Sequence, residues 1–394
     1  MFLHHCRISS LIALASLLGC FLSVTQGQSP TGESALKLNQ IQIIGTHNSY
    51  HAGIAPSESK LWEVNYAEAY KGLDYRHKPL AQQLDSGIRQ IELDVYADSK
   101  GGLYAHPSSP LMVAAAHLPP DSDFDPSGIM AKSGFKVMHI QDIDYRTTCQ
   151  PFTACLAQVR QWSLAHPGHI PIFILVETKQ SKPRGELHHT EPEPFTSNTF
   201  DALDAEIRSV FPPHELITPD DVRGHFDTLN QAVLAGNWPT LASVRGKVIF
   251  LMDQHPVGPI YLDGHPSLRG RVLFTNANPG QPDAAFVELN DGPTAEIVAL
   301  IRKGYLVRTR TDVDTKEARA NNTVRRDTMI ASGAQILSTD YPAAEPARWS
   351  GGYFVAFPAN ASARCNPVNS SATCFLESEV QERTGDLSPT SLPK

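Results

Sequence analysis

Residues 89–95 read Arg89-Gln90-Ile91-Glu92-Leu93-Asp94-Val95, and the fold is argued outward from this run. Ile91, Leu93 and Val95 alternate with Glu92 and Asp94. Side chains two positions apart on a strand point to the same face, so the two carboxylates stand side by side. Like charges inside a protein repel each other and lose hydration, so this strand needs a cation against its acidic face.

Seven further runs rich in Ile, Val, Leu and Phe lie on either side of it, at 41–47, 135–140, 171–177, 247–253, 272–276, 305–311 and 336–340. Most are near-continuously apolar, as strands covered on both faces are. Helical spacing falls between several of them. Residues 152–166 place Phe152, Leu156, Val159 and Trp162 on one face, 293–303 end at Gly304, and 315–332 stop at Gly333. Eight strands alternating with helices predict an α/β protein, a (β/α)8 TIM barrel with long loop insertions at 99–133 and 180–199. A doubly wound open sheet is the competing architecture, but no G-x-G-x-x-G follows any strand.

The chain has 394 residues, a formal charge of −8, 41% hydrophobic and 19% charged residues. That composition excludes a disordered chain. The mildly acidic balance argues against nonspecific nucleic-acid binding. Residues 1–28 carry Arg7, a mostly apolar run over 8–24 and a small residue, Gly27, near the end, the pattern of a secretory signal peptide. The expected organisation is a signal peptide at 1–28, a barrel at 29–345 and a tail at 346–394 with one cysteine pair. The mature protein is then secreted or periplasmic. Leu17-Leu18-Gly19-Cys20 supplies the alternative, a lipoprotein tethered to the membrane through Cys20. Cys149, Cys155, Cys365 and Cys374 remain after the segment is removed, and four cysteines allow three pairings. Local pairing is preferred because each pair closes a short loop. The spacings do not suit zinc, and no histidine stands at ligand distance.

Active sites of parallel barrels sit at the C-terminal ends of the strands. His47 and Asn48 end the first run, Glu92 and Asp94 lie in the second, His139 ends the third, and Glu177 and Lys179 close the fourth. Asp253, Arg308, Arg310 and Asp340 stand at later ends. Three carboxylates and an amide oxygen make a hard cage suited to Ca2+ or Mg2+, and two histidines suit acid–base work near neutral pH. A metal, two histidines and no Ser or Cys nucleophile motif predict phosphodiester cleavage. One histidine would stabilise the phosphorane-like charge and the other would protonate the leaving group.

The stretches GTHNSYH, QLDSGIRQIELDVYAD, FKVMHIQDIDYRTTC, PIFILVETK and SGAQILSTDYP resemble the calcium-dependent phosphoinositide phospholipase C family of exported barrel phosphodiesterases. The similarity runs from about Leu38 to Pro342. The resemblance implies Ca2+ as cofactor, an inositol phospholipid substrate at a membrane surface, and attack by the inositol 2-hydroxyl. It assigns His47 as the first catalytic histidine and Asn48, Glu92, Asp94 and Glu177 as metal ligands. The second histidine is His106 or His139. His139 is preferred because a strand end fixes geometry better than a long loop. Lys179 and Arg308 are candidate phosphate-binding cations. Asp142, Asp144 and Tyr145 are placed to orient His139 or line the mouth. A monomer without a protein partner or nucleic acid is expected. The competing functions are a glycerophosphodiester phosphodiesterase, against which Asn48 argues because those enzymes favour arginine there, and a noncatalytic lipid- or sugar-binding barrel.

Overall fold

The computed structural model describes residues 36–181, 190–371 and 374. The expected export segment at 1–28 lies outside them. Eleven strands form one sheet: β1 (Ile41–Thr46), β2 (Gln90–Tyr96), β3 (Lys136–Val137), β4 (Ile172–Thr178), β5 (Leu216–Ile217), β6 (Val248–Met252), β7 (Leu273–Phe274), β8 (Phe286–Glu288), β9 (Leu306–Arg310), β10 (Ile336–Thr339) and β11 (Ala363–Cys365).

Parallel pairing links β1 to β2 and β10, β2 to β4, β4 to β6, β6 to β7, β8 to β9, and β9 to β10. A single parallel bridge, Asn276 to Phe286, joins the β7 end of this chain of strands to β8. The ring therefore holds eight parallel strands, in the order β1, β2, β4, β6, β7, β8, β9, β10. Every residue of β1, β2, β6, β9 and β10 is buried, as expected of strands with polar or apolar filling inside and helices outside. Gly45 is required at the close approach of β1 to β2, since a Cβ there would lie 1.9 Å from Oε1 of Gln90.

The number of barrel strands agrees with the sequence reading, but one member differs. The run at 135–140 contributes only Lys136–Val137, and it pairs antiparallel with Val95 and Tyr96. The chain then turns sharply. Ile140 and Asp144 exchange both backbone hydrogen bonds at 2.9 Å, with Asp142 at φ 72° between them. The eighth barrel position is taken by β8, whose three residues are too short for a periodic signal. Two other unexpected strands lie beside the ring: β5 pairs with the start of β6, and β11 runs antiparallel to Ile41–Ile43. Residues 363–365 of the expected tail thus belong to the sheet. The helix expected at 315–332 breaks into Lys316–Ala320 and Val324–Ser332, because Asn321 takes φ 47°, which ends a helix. The disulfides are the local ones, Cys149–Cys155 and Cys365–Cys374. No helix of the described residues is long and apolar enough to cross a membrane.

Across the seam between β7 and β8, Ala277 N–H donates to the Phe286 carbonyl at 3.2 Å, and one side chain, Asn276, ties the β6 end to β8. Nδ2 of Asn276 donates to the Asp253 carbonyl at 2.7 Å, and its Oδ1 accepts from Glu288 N–H at 3.0 Å. The amide supplies pairing that the two short strands lack. Asn276→Ala is expected to lower unfolding free energy by about 1–3 kcal/mol, since it leaves a donor and an acceptor unpaired. Urea denaturation measures this, and an unchanged midpoint would show that the seam does not depend on Asn276.

Candidate active site

β1 delivers His47 and Asn48 to the mouth of the barrel, and the turn that follows is stitched to both neighbours. His47 N–H donates to the Thr339 carbonyl at 3.0 Å, and Ser49 N–H to the Glu92 carbonyl at 3.1 Å. Asn48 adopts φ 45°, a left-handed conformation that asparagine tolerates better than most residues. Its Nδ2 donates to the Tyr75 hydroxyl at 2.8 Å, so the amide is oriented, and Oδ1 receives only a long 3.3 Å bond from Tyr50.

Glu92, Asp94 and Glu177 come together because β2 and β4 pair with Asp94 opposite Glu177. Each offers a carboxylate oxygen within 4.8 Å of the others. Glu92 gives Oε2 to Arg308 at 2.6 Å. Burial nonetheless pushes its pKa up to about 7, with Arg308 pulling the other way. Asp94 is fully buried, and neither of its oxygens accepts an aligned hydrogen bond. Burial, then the Glu177 charge, raises its pKa well above the usual carboxylate range. Lys179 Nζ lies 3.2 Å from Asp94 and 3.0 Å from Glu177. The Asp94 contact is thus an ion pair without hydrogen-bond alignment. Burial acts to raise Glu177 too, but Lys179 outweighs it and the pKa falls. Orphaned buried oxygens, carboxylates held in contact and an ammonium already drawn in are the marks of a site built for positive charge. The donor set, all oxygen, fits Ca2+.

The two histidines are held alike. His47 Nδ1 is 2.8 Å from Oδ1 of Asp340, and His139 Nδ1 is 2.8 Å from Oδ2 of Asp144. A carboxylate only accepts, so each Nδ1 carries the proton and each Nε2 is turned away from its aspartate. At His47 the Arg310 guanidinium donates to Nε2 at 3.0 Å, which requires that nitrogen to be bare. Burial, then Arg310, pushes the His47 pKa down to about 3. Burial also lowers His139, while Asp144 opposes the shift. Arg310 donates to Asp340 as well, at 3.1 Å.

Glu92, Asp94, Glu177 and Lys179 are therefore one cluster, with His47 Nε2 3.6 Å from Oε1 of Glu92 and Asn48 next to His47 in the chain. His139 adjoins it, close enough for Lys179 and Glu177 to interact with it electrostatically. His106 stands elsewhere. It is exposed in the 99–133 insertion, on the wall of a cavity of about 610 Å³ that also includes Leu111, Leu118 and Phe124. Arg308 is buried and committed: Nη1 donates to Glu288 and Asn290 and Nη2 to Glu92 and Ser338. Lys179 is turned into the acidic cluster. Arg310 is the arginine beside the histidine instead. Sequence reading noted Arg310 and Asp340 at strand ends without giving them a task, and nothing in the local pattern marks Tyr75, which comes from a loop.

The sequence profile of the family described as "Phosphoinositide phospholipase C, Ca2+-dependent" matches residues 36–367. No curated protein matches the chain. Among solved structures, a calcium-dependent phosphoinositol-specific phospholipase C from a Gram-negative bacterium, Pseudomonas sp., is 17% identical with a TM-score of 0.50, covering 85% of this chain and 97% of its own. A Ca2+-dependent phosphatidylinositol-specific phospholipase C from Streptomyces antibioticus is 19% identical with a TM-score of 0.48, covering 78% and 95%. The Pseudomonas likeness agrees with the barrel fold.

Lys179 and a bound divalent cation answer the same negative charge. Lys179→Met is expected to cost roughly 2–4 kcal/mol of stability in EGTA, because it leaves Asp94 and Glu177 opposed without compensation. Saturating Ca2+ should restore most of the loss by binding the folded state. Calorimetric melts with and without Ca2+ measure both effects. A variant that melts alike in the two conditions would mean that these carboxylates hold no cation.

Proposed function

Because the chain belongs to the Ca2+-dependent phosphoinositide phospholipase C family, we propose that it cleaves phosphatidylinositol-type lipid to an inositol phosphate and diacylglycerol with His47 and His139 as its proton-transfer groups. The observation that carries the reading is the matched pair of imidazoles, each bonded through Nδ1 to a buried aspartate beside one acidic cluster. Asn48, Glu92, Asp94 and Glu177 would hold the cation. When bound, Ca2+ supplies positive charge that favours the phosphate's developing charge and an ionised hydroxyl.

The chain's own residues account for the proton traffic. His47 has a bare Nε2 and takes the proton of the inositol 2-hydroxyl as that oxygen attacks phosphorus. Arg310, beside it, meets the growing negative charge. The P–O bond to diacylglycerol breaks, and His139, entering as imidazolium, returns a proton to the departing oxygen through Nε2. Asp340 and Asp144 keep the two rings in the required tautomer, as a buried carboxylate does for a catalytic imidazole. A cyclic inositol phosphate is then opened by water with the two histidines in exchanged roles.

Export is part of the same reading. The segment at 1–28 has the composition of a signal peptide, and the Cys149–Cys155 and Cys365–Cys374 disulfides suit an oxidising compartment. The substrate is met at a membrane surface.

Phosphorus NMR of phosphatidylinositol turnover tests substrate and metal together. Inositol phosphate should appear with Ca2+, stop in EGTA and return on re-addition. Full turnover in chelator would sink the metal part, and release of glycerol phosphate would favour a glycerophosphodiesterase. His47→Ala and His139→Ala should each lower kcat by about 10²–10⁴, whereas His106→Ala should stay close to the unaltered enzyme. Loss of activity in His106→Ala with activity kept in His139→Ala would reverse the assignment of the second histidine.

A further inference from the structure

His51 has a fully buried side chain, and no step of the proposed reaction uses it. Its Nε2 lies 2.8 Å from Oδ1 and 2.9 Å from Oδ2 of Asp144. Asp144 Oδ2 is also the partner of His139 Nδ1. The carboxylate is thus shared between two imidazoles, whose rings meet edge to face with centroids 6.2 Å apart and an interplanar angle of 85°. Since the carboxylate accepts only, His51 donates through Nε2 and His139 through Nδ1. These are the only hydrogen bonds to the Asp144 side chain among the described residues.

His51 is itself held firmly. Its N–H donates to the Asn48 carbonyl at 2.8 Å, its carbonyl accepts from His77 N–H at 2.8 Å, and its backbone bridges antiparallel to Thr147. Its ring packs on Tyr75, centroids 4.6 Å apart. The Tyr75 hydroxyl in turn accepts from Asn48 Nδ2 at 2.8 Å and lies 3.4 Å from His47 Nδ1. A path of contacts therefore runs from His47 through Tyr75, His51 and Asp144 to His139. With a single donor, the buried Asp144 carboxylate could turn about its side-chain bonds and would have an unpaired oxygen. The second donor fixes its plane and favours its charged form.

We propose that His51 is a positioning residue for the reaction, a brace that fixes Asp144 so that Asp144 fixes the tautomer and ring plane of His139, and that its packing on Tyr75 ties the two histidine systems together. The inference rests on His139 being the second catalytic histidine. Supporting groups behind a functional imidazole typically matter about 10- to 100-fold.

Two substitutions separate the brace from mere packing. His51→Leu keeps bulk and removes the donor, while His51→Gln places an amide N–H near the position of Nε2. His51→Leu should lower kcat about 10- to 100-fold with KM changed less than about twofold, and His51→Gln should recover most of the loss. Nitrogen-15 NMR of histidine-labelled resting enzyme gives a readout independent of turnover. At a pH high enough for His139 to be neutral, the unaltered protein should show it as a single Nδ1–H tautomer, with two low-field imidazole protons, one from His51 and one from His139. In His51→Leu the His139 tautomers should mix. Unchanged kcat, or an unchanged His139 tautomer in His51→Leu, would overturn the brace. If His51→Leu does not fold, the unaltered spectrum decides: a low-field proton from His139 alone overturns it. An active His139→Ala would instead remove the catalytic assignment, a result the spectra do not depend on.

Discussion

The structure depends on how the barrel mouth compensates negative charge. Glu92, Asp94, Glu177, Asp253 and Glu288 crowd together there, and their charges act on one another. Arg308 answers Glu92 and Glu288, and Lys179 answers Asp94 and Glu177. Five carboxylates facing two direct cation partners is a deficit. Buried like charges cannot all ionise without compensation, so part of the cluster takes up protons or a divalent cation. The same deficit that makes the site costly to fold suits it to a divalent cation. The barrel tolerates it because Glu92, Asp94 and Glu177 are mounted on β2 and β4, which pair with each other over six residues.

That mounting also accounts for the division between the two histidines. His47 lies against Arg310, and His139 lies near Lys179 but shares Asp144 with another imidazole. Burial, and then a guanidinium donating to Nε2, disfavour protonation of His47. His139 has no such donor on its Nε2 among the described residues, so that nitrogen is free to carry a proton outward. The two imidazoles thus meet different neighbours at Nε2, although burial lowers the pKa of both.

Much of this was legible in the chain. The period-two spacing of Glu92 and Asp94 implied a shared face, and the two carboxylates do stand together with Glu177. His47, Asn48 and Glu177 stand at strand ends, where a barrel collects its functional groups. What escaped was nonlocal or short. His47 and Asp340 are 293 residues apart, so no window of sequence contains the pair. Strand β8 has three residues and no periodicity to detect. The run at 135–140 looked like a barrel strand because apolar composition does not report pairing direction. Only the turn at Asp142 shows that the chain doubles back there. Arg308 followed a strand end as a phosphate ligand should, but its neighbours on β2 and β8 claim it first.

The position of His139 follows from that same misread run. A barrel strand at 135–140 would have fixed His139 by a ladder on both sides. The real β3 ends at Val137 and pairs along one side only, with β2. His139 therefore leaves the sheet before it reaches the site, and backbone pairing cannot orient it. The compensation is the tight Ile140–Asp144 turn, which brings Asp144 back onto His139 five residues away. A short loop that orients its own histidine needs an anchor outside itself, or loop and ring would shift together. His51, delivered by the turn that follows β1, is that anchor: it ties the third strand's histidine to the first strand's end, where the barrel ladder is continuous.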